Sequence, residues 1–538
     1  SAVQDQRTQE TTYAQYFKLK YNVDLRQNNQ PFLICSMNRG PRRGNASPEN
    51  NAIYIPTELA ILINLSDSER EDFRLMKEVT QTTQYKPNDR QTQLTDFVKD
   101  ARLIRELNQW QVKVGQEMVS TDAKQFEPMK VQVAYRTLTG PNWQYDLNRN
   151  KVLEPIKLVN WVLIHEKGRI YPDRIASLIT DFQTYGTAIG MSISKPKVYG
   201  VENLESFLTT YKGMEQGQLV QIILTIGNGR AKKLYRAIKQ RCYEELGIPS
   251  QHMRLKSIEK HPESVLRNIL RQMNVKAFTD PKAGDFSSGA LWSIANSCIP
   301  DNSMVVGMDV WHGFSGESES IAGIVSSFDG GMRFYADPLL LNRVSQEIVP
   351  NLGEIIKKRL VQYFEENDCY PENVIIFRDG VGNSQMAQLI QQEFTHLFEG
   401  LNLSKEDIPK VAVVCANKRI HRRIFVPGIS GTFDNAPVGT VVDGIGNAED
   451  FPNFYMVSHS TNQGTITPTH YSVIFNNTDL TTEQLSEIAY QLAHLYYNWP
   501  GGIRTPSPIE YAHKLAFQMG QAGLSEIHPR LEKTHYYL

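Results

Sequence analysis

The chain has 538 residues, 41% of them hydrophobic, enough for several cores and, at that length, about three or four domains. A formal net charge of −1 excludes a globally basic nucleic-acid binder, although a basic groove can sit within a balanced total. Five scattered cysteines (Cys35, Cys242, Cys298, Cys369, Cys415) without a C-x-x-C pair argue against a disulfide framework or a zinc site. No apolar run is long enough to span a membrane and the first residues are too polar for a signal peptide, so the expectation is a soluble intracellular protein or a piece of one.

Residues 1–60 contain a short helix at Thr12–Phe17 and strands at Phe32–Cys35 and Ala52–Ile55 around an exposed loop, Pro41–Pro48. These are too few elements for a core of their own. Residues 61–157 are mixed and polar, with helical periodicity over Ser66–Val79 and Leu94–Leu107 and an extended stretch at Met129–Tyr135. They read as a connector.

From residue 158 strands and helices alternate. Leu158–Ile164 is a strand and Arg174–Tyr185 a helix; the buried strand Leu219–Ile226 runs into Gly227-Asn228-Gly229-Arg230 and a helix over Ala231–Leu246. A strand, a glycine loop and a helix form the layout that binds phosphate at a helix N-terminus. Tyr235 and Lys239 lie one turn apart on that helix, with Lys232, Lys233, Arg236 and Arg241 nearby, and Gln251 and Lys276 can converge on the same place. An aromatic ring with Lys and Gln donors suits a terminal phosphorylated nucleotide, whereas on spacing alone a solvated basic face is the commoner explanation.

From about residue 291, two apolar β-branched runs end in aspartate: Ser303–Asp309 and Asn373–Asp379. A single Arg-Asp-Gly more often shapes a turn, but two acids at the carboxyl tips of buried strands mark a place for chemistry. Between them lie a hairpin, Ser320–Ser326 and Gly331–Ala336 around Asp329-Gly330, then Glu347 and a long amphipathic helix from Ile348 to Phe364. A helix near Gln385–Phe398, a strand at Val411–Cys415, a helix at Thr482–Asn498 and a Pro-opened helix bearing His513 complete the chain. A hairpin followed by alternating helices and strands, with acids on the first and fourth strands, outlines a ribonuclease H-like fold.

Four stretches in order, Met308-Asp309-Val310-Trp311-His312, Ser345-Gln346-Glu347-Ile348, Phe377-Arg378-Asp379-Gly380-Val381 and Tyr511-Ala512-His513-Lys514-Leu515-Ala516-Phe517, resemble the C-terminal part of an Argonaute of the PIWI clade. The resemblance runs from about residue 10 to the C-terminus. It implies an α/β chain with a Rossmann-like MID domain and a ribonuclease H-like PIWI domain, preceded by a partial β-rich PAZ domain and a linker. The implied divisions are the end of PAZ at 1–60, linker at 61–157, MID at 158–290 and PIWI at 291–538.

The family's Asp-Glu-Asp-His tetrad falls on Asp309, Glu347, Asp379 and His513, with Glu347 as the loop residue that enters to complete the site. Clustered carboxylates repel one another unless cations lie between them, and oxygen-rich sites suit Mg²⁺ or Mn²⁺. Two ions about 4 Å apart can activate water and stabilise a leaving 3′ oxygen. The resemblance thus implies metal ligation by Asp309, Asp379 and His513 and target-RNA cleavage leaving a 5′-phosphate and a 3′-hydroxyl. It implies that Tyr235, Lys239, Gln251 and Lys276 hold the 5′-monophosphate of a small guide RNA, a piRNA. A further Mg²⁺ would be bound there by Gln251 and the Leu538 carboxylate. The loop Ile226–Arg230 resembles one that reads a first uridine, and Lys418, Arg419, Arg422 and His459 resemble guide-backbone contacts.

The sequence departs from Ago-clade members at Thr467, before Pro-Thr-His-Tyr, and at Gln518; both lack the Ago-clade positive charge, which fits a metal-assisted pocket. Most of the PAZ pocket for a guide 3′ end and the N domain have no counterpart. The family further implies silencing of transposons in the germline, Tudor-domain partners, a monomer without membrane attachment, and residence in cytoplasm, perinuclear granules or nucleus. The alternatives are a guide-binding scaffold that recruits silencing partners with little cleavage, and a DNA-cutting transposase or integrase on the same fold. The unsubstituted tetrad disfavours the first and the MID pocket the second.

Overall fold

The computed structural model describes all residues except 1–11, 28, 37–51, 62–64, 67–68, 71, 103–104, 116, 141–142, 169, 202–219, 228–231, 255–261, 314–319, 330–332, 342–346, 381, 383–384, 395–396, 398–406 and 444–450. The chain divides into two compact units, Ser1–Gln84 and Tyr85–Leu538. In the first, helix α1 (Tyr13–Tyr21) is opened by a capping box between Thr12 and Gln15. Strands β1 (Phe32–Ser36) and β2 (Ala52–Pro56) pair antiparallel. Helix α2 (Phe73–Thr83) begins later than its periodicity suggests. Asp72 caps it by accepting from the Arg74 and Leu75 N–H groups. Ahead of it Ser66 and Glu69 form a reciprocal pair, the Ser66 N–H donating to Glu69 Oε2 and the Glu69 N–H to Ser66 Oγ. The loop expected at Pro41–Pro48 lies outside the described residues.

The second unit opens with α3 (Pro87–Arg102) and the short strand β3 (Lys124–Gln125). Next comes a parallel sheet of β4 (Val162–Glu166), β5 (Lys197–Val201), β6 (Ile223–Gly227) and β7 (Ser250–Arg254), in the order β7-β6-β4-β5. Helices α4 (Pro172–Ala188), α5 (Lys232–Gln240) and α6 (Pro262–Lys276) accompany it. Every described residue of β6 is buried, as a strand covered on both faces requires. The helix expected over 231–246 is α5 followed by a π turn, Arg241–Leu246, which ends at Gly247 in the left-handed region. This is the Rossmann-like layer.

The last part is a nine-stranded mixed sheet. Its strands are β8 (Ser303–Trp311), β9 (Ile321–Ser327), β10 (Phe334–Leu340), β11 (Asn373–Asp379), β12 (Lys410–Asn417), β13 (Thr440–Asp443), β14 (Asn453–Val457) and β15 (Thr469–Asn476), in the order β10-β9-β8-β11-β12-β15-β14-β13-β3. β8, β11 and β12 run parallel at its centre, with Met308 beside Arg378 and Asp379 beside Ala416. Period-two alternation sends Met304, Val306, Met308, Val374 and Ile376 into one core with Leu352, Ile356 and Leu360 of helix α7 (Leu352–Asn367). Each of those buried aliphatic side chains stabilises the fold by about 1.5–3 kcal/mol. Helix α8 (Thr482–Leu492), capped by Thr481 and Gln484, ends earlier than expected, and α9 (Ser507–Ala522) packs on β8 and β9.

Backbone meets backbone in that last contact. A Cβ on Gly307 would lie 2.2 Å from the Pro508 carbonyl, and one on Gly323 would lie 2.1 Å from the Ala512 carbonyl oxygen. Glycine at these two strand positions lets α9 settle onto the sheet. Among the described residues no helix is long and apolar enough to cross a membrane.

Candidate active site

The alternation that fills the core also aims the acids. Asp309 lies on the odd-numbered face of β8 that α9 covers, two residues before the strand ends, and Asp379 shares that parity at the end of β11. His513, on α9, lies with Nδ1 2.7 Å from Asp309 Oδ2. Burial raises the Asp309 pKa, the His513 hydrogen bond opposes the rise, and the facing Asp379 charge adds to it. The His513 pKa is raised, first by its hydrogen bond to Asp309.

Lys418, just past β12, enters the same cluster. Its Nζ lies 3.2 Å from Asp379 Oδ2 and 3.3 Å from Glu510 Oε1. Burial alone would lower its pKa, but Asp379, then Glu510 and Asp309, outweigh that and raise it. The residue expected on a guide backbone is thus engaged with carboxylates.

Glu347 is held apart from this group. Its Oε1 lies 2.8 Å from His312 Nε2, and His312 Nδ1 lies 2.9 Å from Ser320 Oγ. Even-numbered Arg378 points to the opposite face from Asp379, where its Nε meets Glu393 Oε2 at 3.1 Å in a fully buried pair. Arg378 also donates to the carbonyls of Asp379 (2.9 Å) and Glu347 (2.6 Å), and Glu393 accepts the Val349 N–H at 2.8 Å. One ion pair therefore ties the β11 tip to the segment that carries Glu347.

Among the described residues no three His, Cys, Asp or Glu side chains converge closely enough to enclose an ion. The donors nevertheless fit a hard divalent cation in kind: two facing carboxylates that repel each other, with an imidazole beside them. An ion drawn to Asp379 would find Lys418 Nζ already beside its Oδ2.

The second site lies against the parallel sheet. Lys239 Nζ donates to the Ser250 carbonyl (2.8 Å) and Tyr243 Oη (2.5 Å) and lies 5.7 Å from the Tyr235 ring centroid. Lys276 Nζ donates to Gln251 Oε1 at 2.8 Å, Gln251 Nε2 donates to Gln272 Oε1 at 2.9 Å, and Gln272 donates on to Asn498. Burial pushes the Lys239 pKa down to about 7. Burial, with repulsion from Lys239, holds Lys276 well below its ordinary value. Among the described residues neither ammonium has a carboxylate partner, so an incoming anion would supply the missing charge. Tyr235 Oη donates to Gln518 Oε1 (3.1 Å), while the buried Gln518 Nε2 has no partner among the described residues.

Leu538 is partly buried near these elements, and the Tyr536 carbonyl accepts from Tyr243 Oη at 2.8 Å. Residues 228–230 of the expected base-reading loop and the Lys232 and Lys233 side chains lie outside what is described. Arg419 is exposed, and Arg422 lies 4.8 Å from the Tyr455 ring centroid. His459 is pushed down to about pKa 4 by burial and then by Arg504, and its Nδ1 has no partner among the described residues. Burial also lowers the Arg423 pKa, with repulsion from Arg90 and Arg504; among the described residues the buried Nε atoms of all three arginines are unpartnered. Arg90, Arg504, Glu510, His312, Glu393 and Gln272 escaped the sequence reading, because only tertiary contact brings them to their partners.

A Rossmann-like layer with a pair of buried lysines, joined in one compact unit to a ribonuclease H-like sheet with aspartates near its strand tips, defines an Argonaute architecture. The Piwi domain family model matches residues 221–523 and the PAZ domain model residues 2–86. Piwi-like protein 1 of Gallus gallus is 30% identical over 98% of this chain and 60% of its own length. Piwi-like protein Ago3 of Bombyx mori is 29% identical over 96% of this chain and 55% of its own. This chain therefore spans little more than half the length of such relatives. In fold it is similar to the crystal structure of Drosophila Piwi (TM-score 0.75, 23% identity, 98% of this chain and 69% of that one). It is also similar to Kluyveromyces polysporus Argonaute solved with a guide RNA (TM-score 0.70, 19% identity, 98% and 64%). The chain belongs to the Piwi family and is a PIWI-clade Argonaute.

Proposed function

We propose that this chain is the guide-binding and catalytic part of a small-RNA-guided silencing protein that cuts RNA paired to its guide. The observation that carries this reading is the pairing of two sites of opposite need in one unit. One holds buried lysines that have no carboxylate partner among the described residues, the other facing carboxylates that repel. The first suits a 5′-phosphate; the second suits phosphodiester hydrolysis. Lys239 and Lys276 would hold the phosphate, Gln251 would orient Lys276, and Tyr235 would stack on the first base. Arg419, Arg422 and His459, with Arg90, Arg423 and Arg504, would follow the guide backbone. Asp309, Asp379 and His513 would be the metal ligands, with Glu347 entering from its His312 contact. Divalent cations held there would supply an activated water and stabilise the leaving 3′ oxygen. Specificity would come from base pairing, the chain reading backbone and A-form shape. The domain divisions at 1–60, 61–157, 158–290 and 291–538 belong to the same proposal.

A scaffold that binds guide and recruits partners without cutting is the second reading. It is favoured by the Glu347–His312 contact and by Lys418 resting on Asp379. The test loads the protein with a 5′-phosphorylated guide and adds end-labelled complementary RNA with Mg²⁺. A single cut that disappears in Asp379→Ala and with EDTA supports the nuclease. Tight guide binding without any cut, even with Mn²⁺, moves the conclusion to the scaffold.

A further inference from the structure

Lys418 and Glu510 lie outside the four residues that the family resemblance marks for chemistry, yet they complete the cluster's charge. Asp309 has His513 as its partner and Asp379 has Lys418. Glu510 lies on α9 one turn before His513, so both look out from one side of that helix. Its carboxylate accepts from Thr505 Oγ1 at 3.2 Å and meets Lys418 Nζ at 3.3 Å. The Lys418 carbonyl accepts from Arg504 Nη2 at 2.6 Å, which fixes the strand end from which the side chain reaches. A single ammonium therefore lies between one carboxylate of the tetrad and one outside it.

We propose that Lys418 is the resident counter-ion of the acidic cluster, and that Glu510 is the acceptor that retains Lys418 when a divalent cation claims Asp379. The inference rests on the nuclease reading above. Two facing carboxylates without compensation repel each other, and Lys418 relieves that repulsion in the metal-free site. It must then compete with any divalent cation for Asp379. An ammonium released into a largely enclosed position without a partner carries a heavy desolvation cost. Glu510 removes that cost, because the Nζ already touches it and needs only to let go of Asp379. Lys418 thus sets the divalent concentration at which the site fills, and Glu510 lowers that threshold.

The test is calorimetric titration of guide-free protein with MnCl₂, with free Mn²⁺ counted by electron paramagnetic resonance, so that no turnover is read. Lys418→Met is expected to bind Mn²⁺ about tenfold more tightly, and Glu510→Gln about tenfold more weakly. In the Lys418→Met background the Glu510→Gln effect is expected to shrink below about threefold, the influence of a bystander carboxylate. Lys418→Gln repeats the measurement in a polar side chain, should Met disturb the fold. An unchanged or weakened Mn²⁺ affinity in both Lys418 variants overturns the proposal, as does a Glu510→Gln effect of equal size with and without Lys418. Asp379→Asn separates the two levels of failure. If it abolishes binding while the Lys418 variants are silent, only the counter-ion role falls. If it leaves Mn²⁺ binding untouched, the metal-site reading falls with it.

Discussion

Glu393→Gln changes almost no volume but leaves the Arg378 guanidinium buried without a counter-charge. The two side chains are 1% and 0% exposed, so water cannot compensate. Breaking one side of a buried pair costs about 3–5 kcal/mol. Arg378 keeps its bonds to the Asp379 and Glu347 carbonyls, and a glutamine oxygen can still accept, which puts the loss at about 3 kcal/mol. Native-state hydrogen exchange followed by mass spectrometry reads this locally. Amides of β11 and of the segment from Glu347 to Leu352 are expected to exchange roughly 150-fold faster, at 1.36 kcal/mol per decade. Lys410→Gln, which breaks an exposed pair with Asp479, is expected to leave them within about threefold of wild type. Replacing both partners by apolar residues (Arg378→Met with Glu393→Leu) is expected to recover most of the protection. Wild-type exchange in Glu393→Gln would refute the view that this pair holds the β11 tip.

Three further outcomes follow from the geometry. Lys239 is pushed down to about 7, against the ordinary lysine value near 10.4 in an unfolded chain. Its burial therefore weakens the fold most below about pH 7, and the penalty fades as pH rises toward the unfolded value. On the proposed function a 5′-phosphate would restore the charge, so guide binding at pH 8 is expected to take up about half to one proton. Calorimetry in buffers of different ionisation enthalpy measures this; equal uptake with a 5′-hydroxyl guide would contradict it. Gly323→Ala would press a methyl against the Ala512 carbonyl oxygen and lift α9, at about 1–3 kcal/mol of stability. Opening the His513–Asp309 contact is expected to lower cleavage at least about tenfold, read against filter-binding affinity for guide, which should stay within about twofold.

The sequence reading was strongest where local rules decide the outcome. Buried β-branched runs ending in aspartate announced β8 and β11, and period-two alternation follows from any such strand. The parallel layer and the helix carrying Tyr235 and Lys239 were legible for the same reason. Helix ends were less so: an Asp72 cap opens α2 inside the stretch read as one helix from Ser66, and the helix after Ala231 turns into a π turn before Gly247. Lys418 is the instructive case. In a run of Lys, Arg and His it reads as a solvated or phosphate-contacting cation, and only the close approach of β11 and α9 gives it two carboxylates. Glu393 likewise carries no local mark, since its partner Arg378 lies on a different element. Gln518 was noticed as a lost charge, whereas its contact with Tyr235 joins residues far apart in the chain.

The central claim is that the lysine pocket and the acidic cluster act as one device, the first fixing where the second cuts. The most direct measurement varies the guide rather than the protein. A set of 5′-phosphorylated guides complementary to one target, each starting one nucleotide further along, is loaded and the cut mapped at nucleotide resolution. The account expects the cut to move one nucleotide with each guide, at a constant distance from its 5′ end, and to lose that fixed register in Lys239→Met with Lys276→Met. A cut that stays at one target position whatever the guide, or none with any guide, would contradict it.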